Sequence, residues 1–297
     1  KLDQIFQIVR KNTNSFGGMK VVISGDFLQL PCIGGNLCFL SDVWNKMHLK
    51  IFYLKEVLRQ SDKVFQEILS RARLATITDD DIEYLKTNCK KKNTTLSNGI
   101  IPTKLFCRNC DVDNINLLYL NKLKKPITTY RIKTNNKNIG NIPDNLDLCI
   151  GAQVMLLVNL SLPDQLVNGS RGIVISIDEY PTVQFNNCVK LITPYTWYNG
   201  TTDDKKYIIQ LPLKLAWAVT IHKSQGSTFD NVDIDLANVF EKGQAYVALS
   251  RVRDLECLYI NNISKHVFQA HPQALKFYND LNKDDDTILE RLNVSLI

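Results

Sequence analysis

The sequence predicts an α/β chain built on a parallel sheet, with a small β domain inserted into it. Three observations predict this. Thr103-Lys104-Leu105-Phe106 reads as a strand, and Val112, Ile115, Leu118 and Tyr119 then mark a helix. Strand, polar turn, helix is the repeating unit of a parallel sheet. Between residues 127 and 210 short apolar runs alternate with Gly, Pro, Asn and Asp turns, the pattern of a small β-barrel. Beyond 210 the mixed helix-and-strand pattern returns, so the β segment interrupts one α/β domain.

Taken in order, Lys20-Val21-Val22-Ile23-Ser24 reads as a buried strand stopped by Gly25-Asp26. Ser61 or Asp62 can cap a helix that carries Val64, Phe65, Ile68, Leu69 and Ala72 on one face. Thr78 followed by Asp79, Asp80 and Asp81 opens another helix, with acids at the positive end of its dipole. Inside the insert, residues 151–157, 172–177 and 206–209 are expected strands. Leu213, Ala216, Trp217, Thr220 and Ile221 fall on one helical face, and Gly226 would stop that helix. Val232–Leu236 alternates like a strand. Ala245, Val247, Ala248 and Leu249 suggest a helix, and Cys257–Ile260 a final strand.

A length of 297 residues suggests about two domains. The formal charge of +6 weakly favours a polyanionic partner. The runs Lys90-Lys91-Lys92 and Lys122, Lys124, Lys125 read as solvated loop charge. No apolar run reaches the roughly 18 residues of a helical membrane span, and no secretory segment opens the sequence. We therefore expect neither. The eight cysteines are scattered. Cys107 and Cys110 have the spacing of half a zinc site, but no second pair accompanies them, so metal binding is not expected. Cys32, Cys149 and Cys257 sit near apolar segments and are expected in the core.

Four segments carry chemistry. Gln29, in Ser24-Gly25-Asp26-Phe27-Leu28-Gln29-Leu30-Pro31, is a neutral amide just past a strand, suited to sensing a terminal phosphate. Arg59, in Leu58-Arg59-Gln60, offers the fixed fork of donors that suits phosphoryl transfer. His222, Lys223, Ser224 and Gln225 gather donors of several sizes in one turn, which suits phosphate and sugar. Gly226 beside them would let a backbone approach closely. Gln244 and Arg251 lie in Gly243-Gln244-Ala245-Tyr246-Val247-Ala248-Leu249-Ser250-Arg251.

Together these segments resemble the motifs of superfamily-1 DNA helicases of the Pif-type, RecD-like branch. GDFLQLP resembles that family's GDxxQLP, IHKSQG and GQAYVALSR its last two motifs, and GAQVM with NGSRG its SH3-like insert. The resemblance implies two RecA-like domains. Residues 1–52 would close the first, 53–126 and 211–297 would form the second, and 127–210 would be the SH3-like insert. Arg108 and Asn109, at the carboxyl end of the Thr103–Phe106 strand, would meet the DNA backbone, together with His222–Gln225. Gln29, Arg59, Gly226, Gln244 and Arg251 would face ATP and Mg²⁺, with Arg59 and Arg251 as candidate arginine fingers and Gln29 near the γ-phosphate. The partners implied are single-stranded DNA and duplex junctions, and the setting is intracellular, nuclear, mitochondrial or at a viral replication site.

Two signatures of such a motor are absent from the sequence: G-x-x-x-x-G-K-[ST], and an Asp-Glu pair after an apolar strand upstream of Gly25. The sequence opens at Lys1 without an initiator Met. We therefore expect the C-terminal part of an ATP-dependent, 5′-to-3′ helicase, unable to hydrolyse ATP alone, with the phosphate-cradling Lys and the Mg²⁺-binding acids in the missing half of the first domain. A second reading is a helicase-derived module that binds single strands without catalysis.

Overall fold

The computed structural model describes all residues except Ile33, His48, Lys55 and the segments 90–98, 136–141, 200–205 and 286–297. The run Lys90–Lys92 lies outside the described residues. The helices are α1 (Leu2–Arg10), α2 (Asp42–Lys46), α3 (Lys63–Arg73), α4 (Asp79–Asn88), α5 (Asn109–Lys122), α6 (Ile221–Ser224), α7 (Gln244–Leu249) and α8 (Pro272–Asp285). The strands are β1 (Thr103–Phe106), β2 (Thr128–Arg131), β3 (Lys133–Thr134), β4 (Asn145–Leu148), β5 (Gln153–Leu156), β6 (Arg171–Ile177) and β7 (Pro181–Phe185). They continue with β8 (Val189–Leu191), β9 (Tyr195–Asn199), β10 (Lys206–Gln210), β11 (Leu213–Leu215), β12 (Ala218–Thr220), β13 (Val232–Asp235) and β14 (Leu258–Asn261). The chain divides into two compact units.

The first unit holds Lys1–Tyr84, Val239–Ser250 and the described residues from Ser264 onward. Helix α3 forms as the pattern predicts. Asp62, rather than Ser61, caps it by accepting hydrogen bonds from the Val64 and Phe65 amides at 2.8 and 3.2 Å. Phe65, Ile68, Leu69 and Ala72 are buried, while Val64 stays exposed. Helix α4 opens with a reciprocal cap: the Asp81 amide donates to Thr78 Oγ1, and the Thr78 amide donates to Asp81 Oδ2. Two expectations fail here. Residues 20–24 form no strand: Val22 is 96% exposed, and no described segment pairs with it to complete a ladder. Cys32 is exposed and not in the core.

The second unit holds Leu85–Asn238 and Arg251–Ile263. Its parallel sheet has the order β12-β1-β13-β14. Helix α5 covers it through Asn116, whose buried amide donates to the Ala218 carbonyl and accepts from the Ala218 amide at 3.0 and 2.9 Å. The apolar face expected for α5 is only half right, because Leu118 points outward and Leu120 is buried instead. Strands β2 to β11 pair antiparallel, in a five-stranded sheet β11-β5-β6-β7-β8, a three-stranded sheet β3-β10-β9 and the pair β2-β4. The helix expected from Leu213 to Ile221 is wrong: the segment is two strands, β11 and β12, followed by the single turn α6. Strand β12 is buried throughout and lies parallel to β1. A strand covered on both faces is apolar at every position, so a helical spacing can be read into it by chance. Cys149 is buried and Cys257 half-buried.

Candidate nucleotide and nucleic-acid sites

In the first unit, Gln29 ends a tight turn. Its amide donates to the Asp26 carbonyl at 3.2 Å, and the Leu28 amide donates to Asp26 Oδ1 at 3.0 Å. Asp26 is itself clamped. Arg73 Nε and Nη2 donate to Oδ2 and Oδ1 at 2.9 and 2.8 Å, and the Tyr278 hydroxyl donates to Oδ1 at 3.1 Å. Burial pushes the Asp26 carboxyl up, but Arg73 outweighs it and holds the group below the usual carboxylate range. Burial, followed by the nearby Asp26 charge, pushes the Tyr278 phenol up to about 12. Leu28 is buried against Ala274 and Tyr278 of α8, and Phe27 packs edge-on against Phe39 and Phe277. The Asp26–Arg73–Tyr278 group had no signal in the sequence, since α3 and α8 lie far along the chain.

Against this turn sits the start of α7. Gly243 has φ +79°, and a Cβ there would lie 2.7 Å from the carbonyl oxygens of Leu28 and Gln29. Only glycine permits that backbone-to-backbone approach. Gln244 is fully buried. Its Oε1 accepts from the Phe240 and Glu241 amides at 3.1 and 3.4 Å, and its Nε2 has no hydrogen-bond partner among the described residues. At the other end of α7, the exposed Arg59 donates from Nη1 to the Ser250 carbonyl at 3.0 Å. The structure thus brings Gln29 to the start of α7 and Arg59 to its end.

In the second unit, β1 and β12 run parallel with Phe106 opposite Thr220. The turns that follow them therefore leave the same edge of the sheet side by side. One turn carries Arg108 and Asn109, both exposed. The other carries His222–Gln225, where Thr220 caps α6 by accepting from the Lys223 amide at 3.3 Å. Lys223 and Gln225 are exposed and His222 half-buried, whereas Ser224 is buried and its hydroxyl donates to the Ile221 carbonyl at 2.7 Å. Gly226 has φ +82° with open space where a Cβ would stand. Carboxyl ends of parallel strands are where α/β folds place ligands.

Arg251 belongs to the same unit. It is 2% exposed, and its Nη1 donates to the carbonyls of Ser224 and Ser227 at 3.4 and 3.3 Å. It braces the His222–Gln225 turn from behind. A second buried arginine ties the insert to this region. Arg171 donates to Thr103 Oγ1 at 2.9 Å and to Asp230 Oδ2 at 3.0 Å, and its guanidinium lies over the Phe229 ring. A Cβ on Gly169 would stand 3.3 Å from the Ser227 hydroxyl, so the Asn168-Gly169-Ser170-Arg171 loop rests on the end of the same turn.

A parallel α/β sheet whose motif turns share one carboxyl edge, with an antiparallel insert, is a RecA-like arrangement with its ligand edge at the strand ends. The chain belongs to the Pif1-like helicase family. The family model for PIF1-like helicase matches residues 1–79, and that for the DNA helicase Pif1 2B domain matches residues 134–177. The ATP-dependent DNA helicase PIF1 of Xenopus laevis is 38% identical over 305 residues, covering 96% of this chain and 47% of that protein. The crystal structure of Pif1 helicase from Candida albicans matches at a TM-score of 0.83 and 30% identity, covering 94% of this chain and 73% of that one. Pif1 helicase from Bacteroides in complex with ADP-AlF3 and single-stranded DNA matches at 0.75 and 29% identity, covering 95% and 71%. The chain spans about half the length of the curated relatives it matches.

Proposed function

We propose that these residues are the C-terminal part of an ATP-dependent DNA helicase that moves 5′ to 3′ on single-stranded DNA and separates duplexes. Residues 1–52 would complete its first RecA-like domain, and 127–210 would be its SH3-like insert. The observation that carries this reading is the shared sheet edge. Arg108 and Asn109 stand beside His222, Lys223 and Gln225 on two adjacent parallel strands. Of these five residues two carry amides, one an imidazole and two basic side chains. That mix suits a phosphate-and-sugar backbone read without regard to base.

Gln29 is the proposed sensor of the γ-phosphate, and Arg59 the proposed transition-state cation, since a guanidinium neutralises charge spreading over the transferred group. Arg251 is proposed to act through the turn it braces as well as through any nucleotide it meets. Gln244 holds the 240–243 loop that seats Gly243 on the Gln29 turn. The residues present do not fit Mg²⁺. Asp26, the carboxylate beside Gln29, gives both oxygens to Arg73, and no group of three His, Cys, Asp or Glu among the described residues could hold a metal. The Mg²⁺-binding acids and the phosphate-cradling loop are therefore proposed to come from outside residues 1–297.

Binding of fluorescent single strands at several salt concentrations tests the grip. Lys223→Ala should weaken all sequences about equally and reduce the log–log salt slope by roughly 0.7, one phosphate contact on a single strand. An unchanged affinity and slope would place the DNA elsewhere.

A further inference from the structure

Gln29 stands in a turn that belongs to no described strand. Side-chain bonds rather than a ladder therefore set its place, and they converge on one carboxylate. Asp26 Oδ1 accepts from the Leu28 amide at 3.0 Å, from Arg73 Nη2 at 2.8 Å and from the Tyr278 hydroxyl at 3.1 Å. Its Oδ2 accepts from Arg73 Nε at 2.9 Å and from Gln29 Nε2 at 3.5 Å. A carboxylate offers only acceptors, so the amino end of the Gln29 side chain, not its carbonyl end, faces Asp26.

Tyr278 closes this group from α8. Its oxygen also accepts from the Phe27 amide at 3.2 Å, so one hydroxyl joins the backbone of the turn to the carboxylate at its start. The Tyr278 ring lies 4.7 Å from the Arg73 guanidinium. Ala274, Phe277 and Tyr278 share one helical face and pack on the turn. Ala274 and Tyr278 cover Leu28, while Phe277 meets Phe27 edge-on at 5.3 Å and stacks on Phe39 at 4.4 Å. Tyr278 is 8% exposed, and the side chains of Asp26 and Arg73 are 17% and 16% exposed, so little water competes for these bonds.

We infer that Tyr278 and Arg73 are positioning residues for Gln29, acting through Asp26 to hold the turn from which Gln29 would read the γ-phosphate. This role rests on the reading of Gln29 proposed above and adds two residues that lie outside every motif in the sequence. A group that acts on a transition state must be held within about 0.5 Å by its supporting shell. Removing the Tyr278 hydroxyl takes a donor from Asp26 and an acceptor from the Phe27 amide at once. It leaves the ring under Arg73 and the apolar face of α8 in place.

A double-mutant cycle tests this in the protein that carries its phosphate cradle. ATP turnover with single-stranded DNA would be measured for wild type, Gln29→Ala, Tyr278→Phe and the double variant, beside urea unfolding and nucleotide-free binding of oligo-dT. Tyr278→Phe should lower kcat by about 3–10-fold, less than the roughly 10²-fold that a 1 Å misplacement can cost. Its oligo-dT affinity should stay at the wild-type value. The double variant should turn over at the rate of Gln29→Ala alone, because a displaced turn no longer matters once Gln29 is gone. Wild-type kcat in Tyr278→Phe, with Gln29→Ala slow, overturns the positioning role and leaves the reading of Gln29 intact. Losses that multiply in the double variant also overturn it, since Tyr278 would then act on the fold and not through Gln29. Wild-type kcat in Gln29→Ala overturns the positioning role and the reading beneath it together. Should Tyr278→Phe fail to fold, Arg73→Lys enters the same cycle with the same outcomes, because it keeps the charge and loses the paired donors.

Discussion

Single residues here divide into those that face solvent with a job to do and those that hold the former in place. Arg59 and Arg251 look alike in the sequence, each an arginine in a recognisable motif. They differ in the structure: Arg59 is exposed with one carbonyl partner, and Arg251 is buried behind the His222–Gln225 turn. Their alanine variants should therefore separate. In an ATPase-competent protein, Arg59→Ala should lower kcat strongly and leave the melting temperature within about 1–2 °C, as for a surface change. Arg251→Ala should lower kcat and also destabilise, by about 2–4 kcal/mol, because it strips carbonyls of a buried charged donor. Steady-state kinetics beside urea unfolding checks both. Equal stability loss in the two variants would refute this division. Asp26 offers a third case. Arg73→Ala would leave its carboxylate buried without a cation, at a cost of about 3–5 kcal/mol. The resulting loss should show in urea unfolding, and an Arg73→Ala as stable as wild type would show the pair to be superfluous. None of this was legible in the sequence, because a side chain's partner is set by packing across long separations. Asp26 and Tyr278 are 252 residues apart.

At the scale of elements, the sequence was readable wherever a local rule operates. Asp62 and Thr78 signalled helix starts through capping chemistry, and both caps form. The alternation at Val232–Asp235 and the β-branched run at Arg171–Ile177 gave true strands. It failed where a segment's state depends on a neighbour. Leu213–Leu215 and Ala218–Thr220 are strands because β5 and β1 are there to pair with them. Residues 20–24 have the composition of a strand without a described partner. The α4 cap supplies a pH prediction. Hydrogen bonds from Arg71, set against burial and helped by Thr78, hold Asp81 at about 2. A carboxyl depressed on folding stabilises above its unfolded value, near 4, and that stability is lost as pH falls from about 4 toward about 2. The contribution is about 1–2 kcal/mol after allowance for the partly exposed Arg71 partner. Asp81→Asn should flatten this part of the acid-unfolding curve. An acid limb unchanged in the variant would mean the ion pair adds nothing.

Across the whole molecule, the candidate sites stand out in the sequence as short motifs, and the fold only as a pattern of elements. Gln29, Arg59, Gln244, Arg251 and the His222–Gln225 turn stand out as compact motifs, because the phosphate contacts proposed for them would demand particular donors in one short stretch. What the motifs could not show is how they are supported. Gly243 seats α7 on the Gln29 turn, and Arg171 ties the insert to Thr103 and Asp230. We propose that these parts serve a DNA-stimulated ATP motor whose phosphate cradle lies outside residues 1–297. Phosphate release tests it most directly, measured with and without single-stranded DNA on two proteins. One is the 297-residue chain, and the other joins it to a segment carrying G-x-x-x-x-G-K-[ST]. The first should show no turnover and the second DNA-stimulated turnover. Turnover by the 297-residue chain alone, or an extended protein indifferent to DNA, would contradict it.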